Sequence, residues 1–433
     1  MYTLTPNEYG IPSEWSRVLK TTYVVDAMGQ TRRVPTVQYK TFGHYMTAYL
    51  NSIYKLCVNA NTIHLVFDSY IDGSVKDSER LRRSTKQAVE ISTIENETLF
   101  PIDLDSFWPS STNKEKLQLY IRNTILSDSQ QFRQGQIVLS GVRTKDQQIP
   151  CMTGDAIEID ELNSDLEEAD LRLILHILYA VKQGSKRIVV LSNDTDVLVL
   201  LLHFMEKFRK KGVQEIWQRA GTGNTIRYIP IHGISDIIGK KMCKVLPAAH
   251  ILTGCDSTSK VGTKASCLKA DPTKFLSRFG KQAMPSDDVL DSAEAYLVQV
   301  LQVGSPFNRM DQLRYYKYFH SKNIIYAELP PSTYSLRAHL LRCWYNCHVQ
   351  LQCLGSSILD PLQYGYVDED GIVSPLKRLR LVPLDLVLPC TCKKCATQRC
   401  ACRKNCVSCC MYLGCRQQSY EQQGAFCKNP KIM

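Results

Sequence analysis

The stretch RIVVLSNDTDVLVLLLHF at 187–204 decides the fold. Arg187 to Leu191 is an unbroken apolar run of strand length, Ser192-Asn193-Asp194-Thr195-Asp196 is a polar exit loop, and Val197 to Phe204 continues as a second apolar element. An unbroken run, without polar alternation, predicts a strand buried on both faces, as in a parallel sheet covered by helices. Upstream, Ser164 followed by Glu167 predicts a capping box, Leu166 to Val181 a long apolar helix, and Gly184 its end. Earlier in the chain, TTYVVD at 21–26 and Thr62 to Phe67, closing at Asp68, predict two more strands, and Ile137 to Ser140 a third. Between the first two, Thr41 is placed to cap a helix whose Phe42, Tyr45, Met46, Tyr49, Leu50, Ile53 and Tyr54 share one face. Leu117, Tyr120, Ile121, Thr124 and Ile125 predict a further helix.

Strand–helix alternation implies an α/β fold with a mainly parallel sheet, and in such sheets ligands bind beyond the carboxyl ends of the strands. Asp26, Asp68, Asp194 and Asp196 all stand at such ends, with Glu168, Asp170 and Asp256 at helix or loop starts. Asp-x-Asp after an apolar run is also a common helix cap, so one pair carries little. Seven clustered carboxylates are different: mutual repulsion and desolvation would raise their pKa values unless divalent cations neutralised them, which points to magnesium or manganese. Glu168 and Asp170 face apart on a regular helix. Either the helix begins so late that Glu168 lies in its irregular lead-in, or Glu167 is the working partner.

In order and context, VVDAMG at 24–29, VFD at 66–68 with a following Lys and Arg-Arg, EEAD at 167–170, SNDTDVLVL at 192–200 and LTGCDSTSKVGTKA at 252–265 resemble the flap-endonuclease/XPG branch of the PIN-like nucleases, over roughly residues 20–270. The resemblance implies a PIN-like fold and two Mg²⁺ or Mn²⁺ ions held by Asp26, Asp68, Glu168, Asp170, Asp194, Asp196 and Asp256. It further implies phosphodiester hydrolysis, with Lys76 and Arg82 (or Arg83) contacting the scissile phosphate. Where that family has a glycine-rich duplex-gripping motif, Lys260-Val261-Gly262-Thr263-Lys264 is shorter and keeps one glycine. No Gly-x-Ser-x-Gly, His-Glu-x-x-His or phosphate-cradling Gly-x-x-x-x-Gly-Lys motif is found.

Charge and cysteine usage set the tail apart. With 53 Lys+Arg against 42 Asp+Glu the chain of 433 residues carries +11, and residues 390–433 hold eight basic side chains against Glu421 alone. Nine of the 18 cysteines are Cys390, Cys392, Cys395, Cys400, Cys402, Cys406, Cys409, Cys410 and Cys415. Without an export signal this density reads as metal ligation before disulfides, and nine thiolates close three tetrahedral Zn²⁺ sites if three of them bridge. The segment resembles the tesmin-type CXC domain over about 388–416, which implies about three zincs and DNA binding. Cys409-Cys410 and Arg416-Gln417 depart from that pattern.

The expected organisation is a PIN-like domain at 1–275, a mostly helical extension at 276–387, the zinc domain at 388–416 and a tail at 417–433. Two helices, near Ile234 to Met242 and Ala248 to Leu252, are expected within the first of these. His339, Cys343 and Cys347, four apart, could ligate metal but more often pack inside a helical layer. No run of about 18 apolar residues is present, and neither a membrane span nor secretion is expected. The expected partner is nucleic acid, DNA before RNA, and the expected compartment the nucleus. The rivals are a nuclease fold kept as a DNA-binding scaffold and an RNA-cleaving PIN-like enzyme. The GCDSTS-then-CXC order also resembles a group of invertebrate proteins, which implies no mechanism.

Overall fold

The computed structural model describes residues 15, 18–34, 39–57, 59–71, 73–77, 80, 88–127, 137–140, 151–153, 157–320, 329–355 and 359–376. Arg82, Arg83 and every cysteine of the 390–415 cluster lie outside the described residues. The chain divides into two units, Met1–Asn308 with Arg337–Pro375, and Arg309–Leu336 with Leu376–Met433.

The first unit is built on a seven-stranded sheet. Its strands are β1 (Thr21–Asp26), β2 (Thr62–Val66), β3 (Ile137–Ser140), β4 (Cys151–Thr153), β5 (Arg187–Leu191), β6 (Glu215–Ala220) and β7 (Arg227–Pro230), in the spatial order β4-β3-β2-β1-β5-β6-β7. The central five pair in parallel, while β4 and β7 close the two edges antiparallel. From β1 the chain builds outward through β2 and β3, then returns to β1's other side with β5 and β6. The reversal opens a crevice beyond the carboxyl ends of β1 and β5, where Asp26 and Asp194 stand.

The unbroken apolar strands have the cause expected of them. Val24, Ile188, Val190 and Ile216 enter one core with the helices Ala169–Lys182, Thr195–Lys210 and Ile231–Leu252. Tyr23, Val25, Ile63, Leu65, Val189 and Leu191 enter the opposite core with the helices Phe42–Leu56 and Ser111–Ser127. The Phe42–Leu56 helix starts at Thr41, whose hydroxyl accepts from His44 N, and buries Phe42, Tyr45, Met46, Tyr49, Leu50 and Ile53.

The second apolar element, Val197 to Phe204, is the interior of the helix Thr195–Lys210. Three expectations need correction. The capping box at Ser164 does not form: Ser164 Oγ accepts from Leu166 N, the chain stays extended, and the helix starts at Ala169. The two helices expected near 234–242 and 248–252 are present within Ile231–Leu252, but they part at Gly239 (φ 78°, ψ 161°), and the second carries Pro247 without interruption. Residues 366–375 form a hairpin, β8 (Tyr366–Glu369) and β9 (Ile372–Pro375), turned by Asp370 and Gly371 at φ 56° and 82°, the signs of a type I′ turn. Val373 N donates to Gly73 O, so this hairpin braces the loop that leads to Lys76.

The first unit extends past residue 275. The helix Asp287–Leu301 returns Tyr296, whose hydroxyl donates to Cys267 O at 3.0 Å. In the helix Thr333–Leu351, His339 reaches Leu252 O at 3.1 Å and Trp344 Nε1 donates to Gln282 O at 3.1 Å. In the second unit, Asp311 and Thr333 exchange backbone-to-side-chain hydrogen bonds of 3.3 and 3.1 Å. Among the described residues no helix is long and apolar enough to cross a membrane.

Gly280 tests the packing of 337–351. It sits at φ 75°, and a Cβ there would lie 2.6 Å from Cys347 Sγ. Gly280→Ala is expected to destabilise the protein by about 1–3 kcal/mol, read as a lower denaturant midpoint at unchanged slope.

Candidate active site

Three of the acids cap helix starts. Asp26 ends β1 and caps the helix Ala27–Thr31, its Oδ1 accepting from Gly29 N at 2.8 Å. A Cβ at Gly29 would come within 2.3 Å of Asp26 Oδ2, so the carboxylate lies over this helix start only because residue 29 has no side chain. Asp68, two residues beyond β2, sends Oδ1 to Ala169 N at 3.0 Å and caps the Ala169–Lys182 helix from another segment. Gln118 Nε2 holds Asp68's carbonyl at 2.8 Å, and Arg172 donates to the carbonyl of Phe67. Asp194 caps its own helix through Asp196 N at 2.8 Å.

Glu167 and Glu168 differ in their partners. Glu168 is the residue before the helix, extended at φ −83° and ψ 131°. Its carboxylate lies 3.2 Å from Lys76 Nζ, whereas Glu167 binds Arg80 at 2.9 Å and Ser74 Oγ at 3.1 Å. Asp256 is exposed on the turn after Gly254.

The acids share one field. Asp26 is pushed up to about 7, first by burial and then by Asp68, with Asp194 adding to it. Asp170 is raised well above the usual carboxylate range by burial and by Asp194, Asp26, Glu168 and Asp68 in turn. Asp194 reaches solvent, yet the protein around the cleft raises it, with Asp196 next and Asp256 further out. Burial alone would lower Lys76, but Glu168 and Asp170, with Asp196 behind them, hold its ammonium well above the ordinary lysine value. All seven sequence-predicted acids, with Lys76, therefore fall within one electrostatic neighbourhood.

This neighbourhood is not a closed metal shell. Among the described residues no three His, Cys, Asp or Glu side chains meet in metal-holding geometry. The donor set nevertheless suits a hard divalent cation: it is all carboxylate, and Asp26 and Asp194 stay raised although Arg33 and Lys76, respectively, act the other way. His339 and Cys343 approach to 3.3 Å, but both are buried and bind the Leu252 and Ile251 carbonyls, which is packing.

Two contributors carried no signal in the sequence. His250 Nε2 lies 2.6 Å from Asp196 Oδ1 and fixes that carboxylate from the far end of the Ile231–Leu252 helix. Gln218, buried in β6, donates to both Ser192 O and Asp194 O at 3.0 Å and so sets the Asp-x-Asp loop. Both contacts join residues distant in sequence, and neither follows from any spacing.

No family model matches the chain, and no curated protein matches it. Among solved structures, "Crystal Structure of T5 D15 Protein Co-crystallized with Metal Ions" matches at 10% identity over 77% of this chain and 91% of that one, with a TM-score of 0.36. The likeness is to a loosely similar α/β arrangement, and the site rests on this chain's own residues.

Because Asp26 titrates near 7 when folded and near 3.8 otherwise, its contribution to stability is complete below about pH 4 and is lost as pH rises through about 7. In metal-free protein at pH 8, Asp26→Asn is therefore expected to stabilise by on the order of 1–3 kcal/mol, and at pH 4 to change little. Thermal melts across this range check it.

Proposed function

We propose that the chain is a divalent-metal-dependent nuclease that hydrolyses phosphodiester bonds in DNA, with structured DNA as the expected substrate. The observation that supports this reading is the field shared by seven carboxylates from five stretches of sequence, with Asp26, Asp170 and Asp194 raised in it and Lys76 held charged. Asp26, Asp68, Glu168, Asp170, Asp194, Asp196 and Asp256 are assigned as ligands for two Mg²⁺ or Mn²⁺ ions. When bound, such ions supply a water of lowered pKa and stabilise charge on the attacking and leaving oxygens.

The chain's own residues do the rest. Gln218 and His250 keep Asp194 and Asp196 aimed into the crevice, and Asp68 is held by the Ala169 amide. Lys76 is assigned to a phosphate oxygen, and Arg82, on the sequence resemblance, to the same phosphate. The cysteines between Cys390 and Cys415 are assigned to about three Zn²⁺ ions on a basic tail that adds salt-sensitive DNA affinity, consistent with work in the nucleus.

One observation favours a second reading, a nuclease fold kept as a scaffold: the Lys76–Glu168 ion pair neutralises part of the acidic set without a metal. Incubating flap, duplex and RNA substrates with Mg²⁺ or Mn²⁺ separates the readings. Wild type is expected to cut DNA, and Asp194→Ala/Asp196→Ala to lose at least about 100-fold while keeping its fold. A folded wild type that cuts nothing with either metal leaves the scaffold, and cutting confined to RNA moves the substrate class. Metal analysis after mild chelation is expected to return about three zincs per chain.

A further inference from the structure

The helices Thr195–Lys210 and Ile231–Leu252 pack side by side, and away from the crevice they present a charged surface that the hydrolytic reading does not use. Over 203–211 and 231–244 the cations are Lys207, Arg209, Lys210, Lys211, Lys240, Lys241 and Lys244, all exposed, and the acids are Glu206 and Asp236. Seven cations against two acids leave five positive charges, with histidines counted as neutral. Glu206 stands among three ammoniums, with Lys240 at 3.1 Å, Lys210 at 3.6 Å and Lys244 at 3.9 Å. The hydrogen bond from Lys240, and then the charges of the three, hold its carboxyl below the usual carboxylate range. Asp236 is taken by Arg209 through two bonds of 2.6 and 2.7 Å. Glu215, the next acid between the two helices, is paired with Arg187 at 2.7 Å. Among the described residues Lys207, Lys211 and Lys241 have no ion pair.

Helix physics accounts for part of this charge only. Cations in the last turn of Thr195–Lys210 are favoured by the helix dipole. Lys240 and Lys241 are not, because they open the helical segment beyond the break at Gly239, where the dipole disfavours cations. The break lies in the open: a Cβ at Gly239 would meet no atom within 4 Å. Two helices thus bring like charges to one surface, one of them against its own local preference.

The chemistry of the surface selects its partner. Six of the seven cations are lysines, which act as point charges without the planar fork that reads a single carboxylate or base. Ile237 is the one exposed large apolar side chain of the two helices, and neither exposes an aromatic ring. An apolar anchor of a protein partner, the acyl boundary of a membrane and an unstacked base therefore all lack a seat here. A polyanion held by charge alone fits, and the regular phosphates of a nucleic-acid duplex are such a polyanion. The surface lies at the far end of a helix of 16 residues that starts at the crevice, about 24 Å away, or about seven base pairs of duplex.

We infer that the lysine face formed by residues 207–211 and 240–244 binds the phosphate backbone of duplex DNA, as a contact separate from the acidic crevice. The choice of DNA as the polyanion rests on the nuclease reading; the binding itself requires no cleavage.

The test titrates full-length protein, without added Mg²⁺ or Mn²⁺, into a labelled blunt DNA duplex at several salt concentrations, with affinity read by fluorescence anisotropy. Lys207→Gln/Lys241→Gln takes one lysine from each helix and strands no acid. It is expected to lower the slope of log affinity against log salt by about 2 and to weaken binding about tenfold or more at about 0.1 M salt. Lys40→Gln/Lys55→Gln removes the same charge beside the helix that covers the opposite face of the sheet, and is expected to leave the slope unchanged. A slope that ignores Lys207 and Lys241, or that falls equally in both variants, overturns the inference. Polyglutamate that competes as well as unlabelled duplex at equal charge also overturns it and moves the partner to an acidic protein. A wild type that binds with the expected losses but cuts no substrate retains this inference while the hydrolytic reading fails.

Discussion

Three helices begin at the carboxyl edge of the sheet, and each has an aspartate carboxylate lodged against its first free amides: Asp26 at Gly29, Asp68 at Ala169 and Asp194 at Asp196. On this constraint the rest of the first unit depends, because the caps fix where the helices leave the sheet and so where both cores lie. A cap contributes about 1 kcal/mol and the helix dipole ~0.3–1 kcal/mol to a nearby anion. Those gains are smaller than the penalty of crowding, since Asp26 is driven to about 7 in spite of its cap, and Asp170 is raised by burial and by four acids around it. Capping explains each aspartate singly. It does not explain why three caps, with four further acids, converge on one crevice.

What the sequence made legible follows from how local each feature is. β1, β3 and β5 could be delimited because buried parallel strands are unbroken apolar runs, and the Thr41 helix because its cap and its face are both local. β6 was hidden: Gln218 and Arg219 interrupt its apolar pattern, and Gln218 is buried because it holds the loop at 192–194, which no window of sequence displays. The β8–β9 hairpin has a local type I′ signal, Asp370-Gly371, which the helical expectation for 276–387 passed over. His250 was not, since its contact with Asp196 depends on the whole Ile231–Leu252 helix crossing back over the Asp-x-Asp loop.

The late start of the Ala169–Lys182 helix is the most informative departure. Ser164 and Glu167 satisfy a capping-box pattern, yet Ser69 N donates to Glu167 O, and Asp68 takes the Ala169 amide that a local cap would have satisfied. A tertiary contact has displaced a local one. The displacement matters because successive residues of an extended chain point to opposite sides, whereas two on a helix diverge by much less.

Glu167 and Glu168 use that alternation to divide the site. Glu167 turns to Ser74 and Arg80, beside Tyr70 and the cations around it; Glu168 turns to Lys76 and, through it, to the field of Asp170 and Asp196. Two adjacent side chains of one charge thus serve different partners. The extended backbone at Glu168 is the geometric condition for that division.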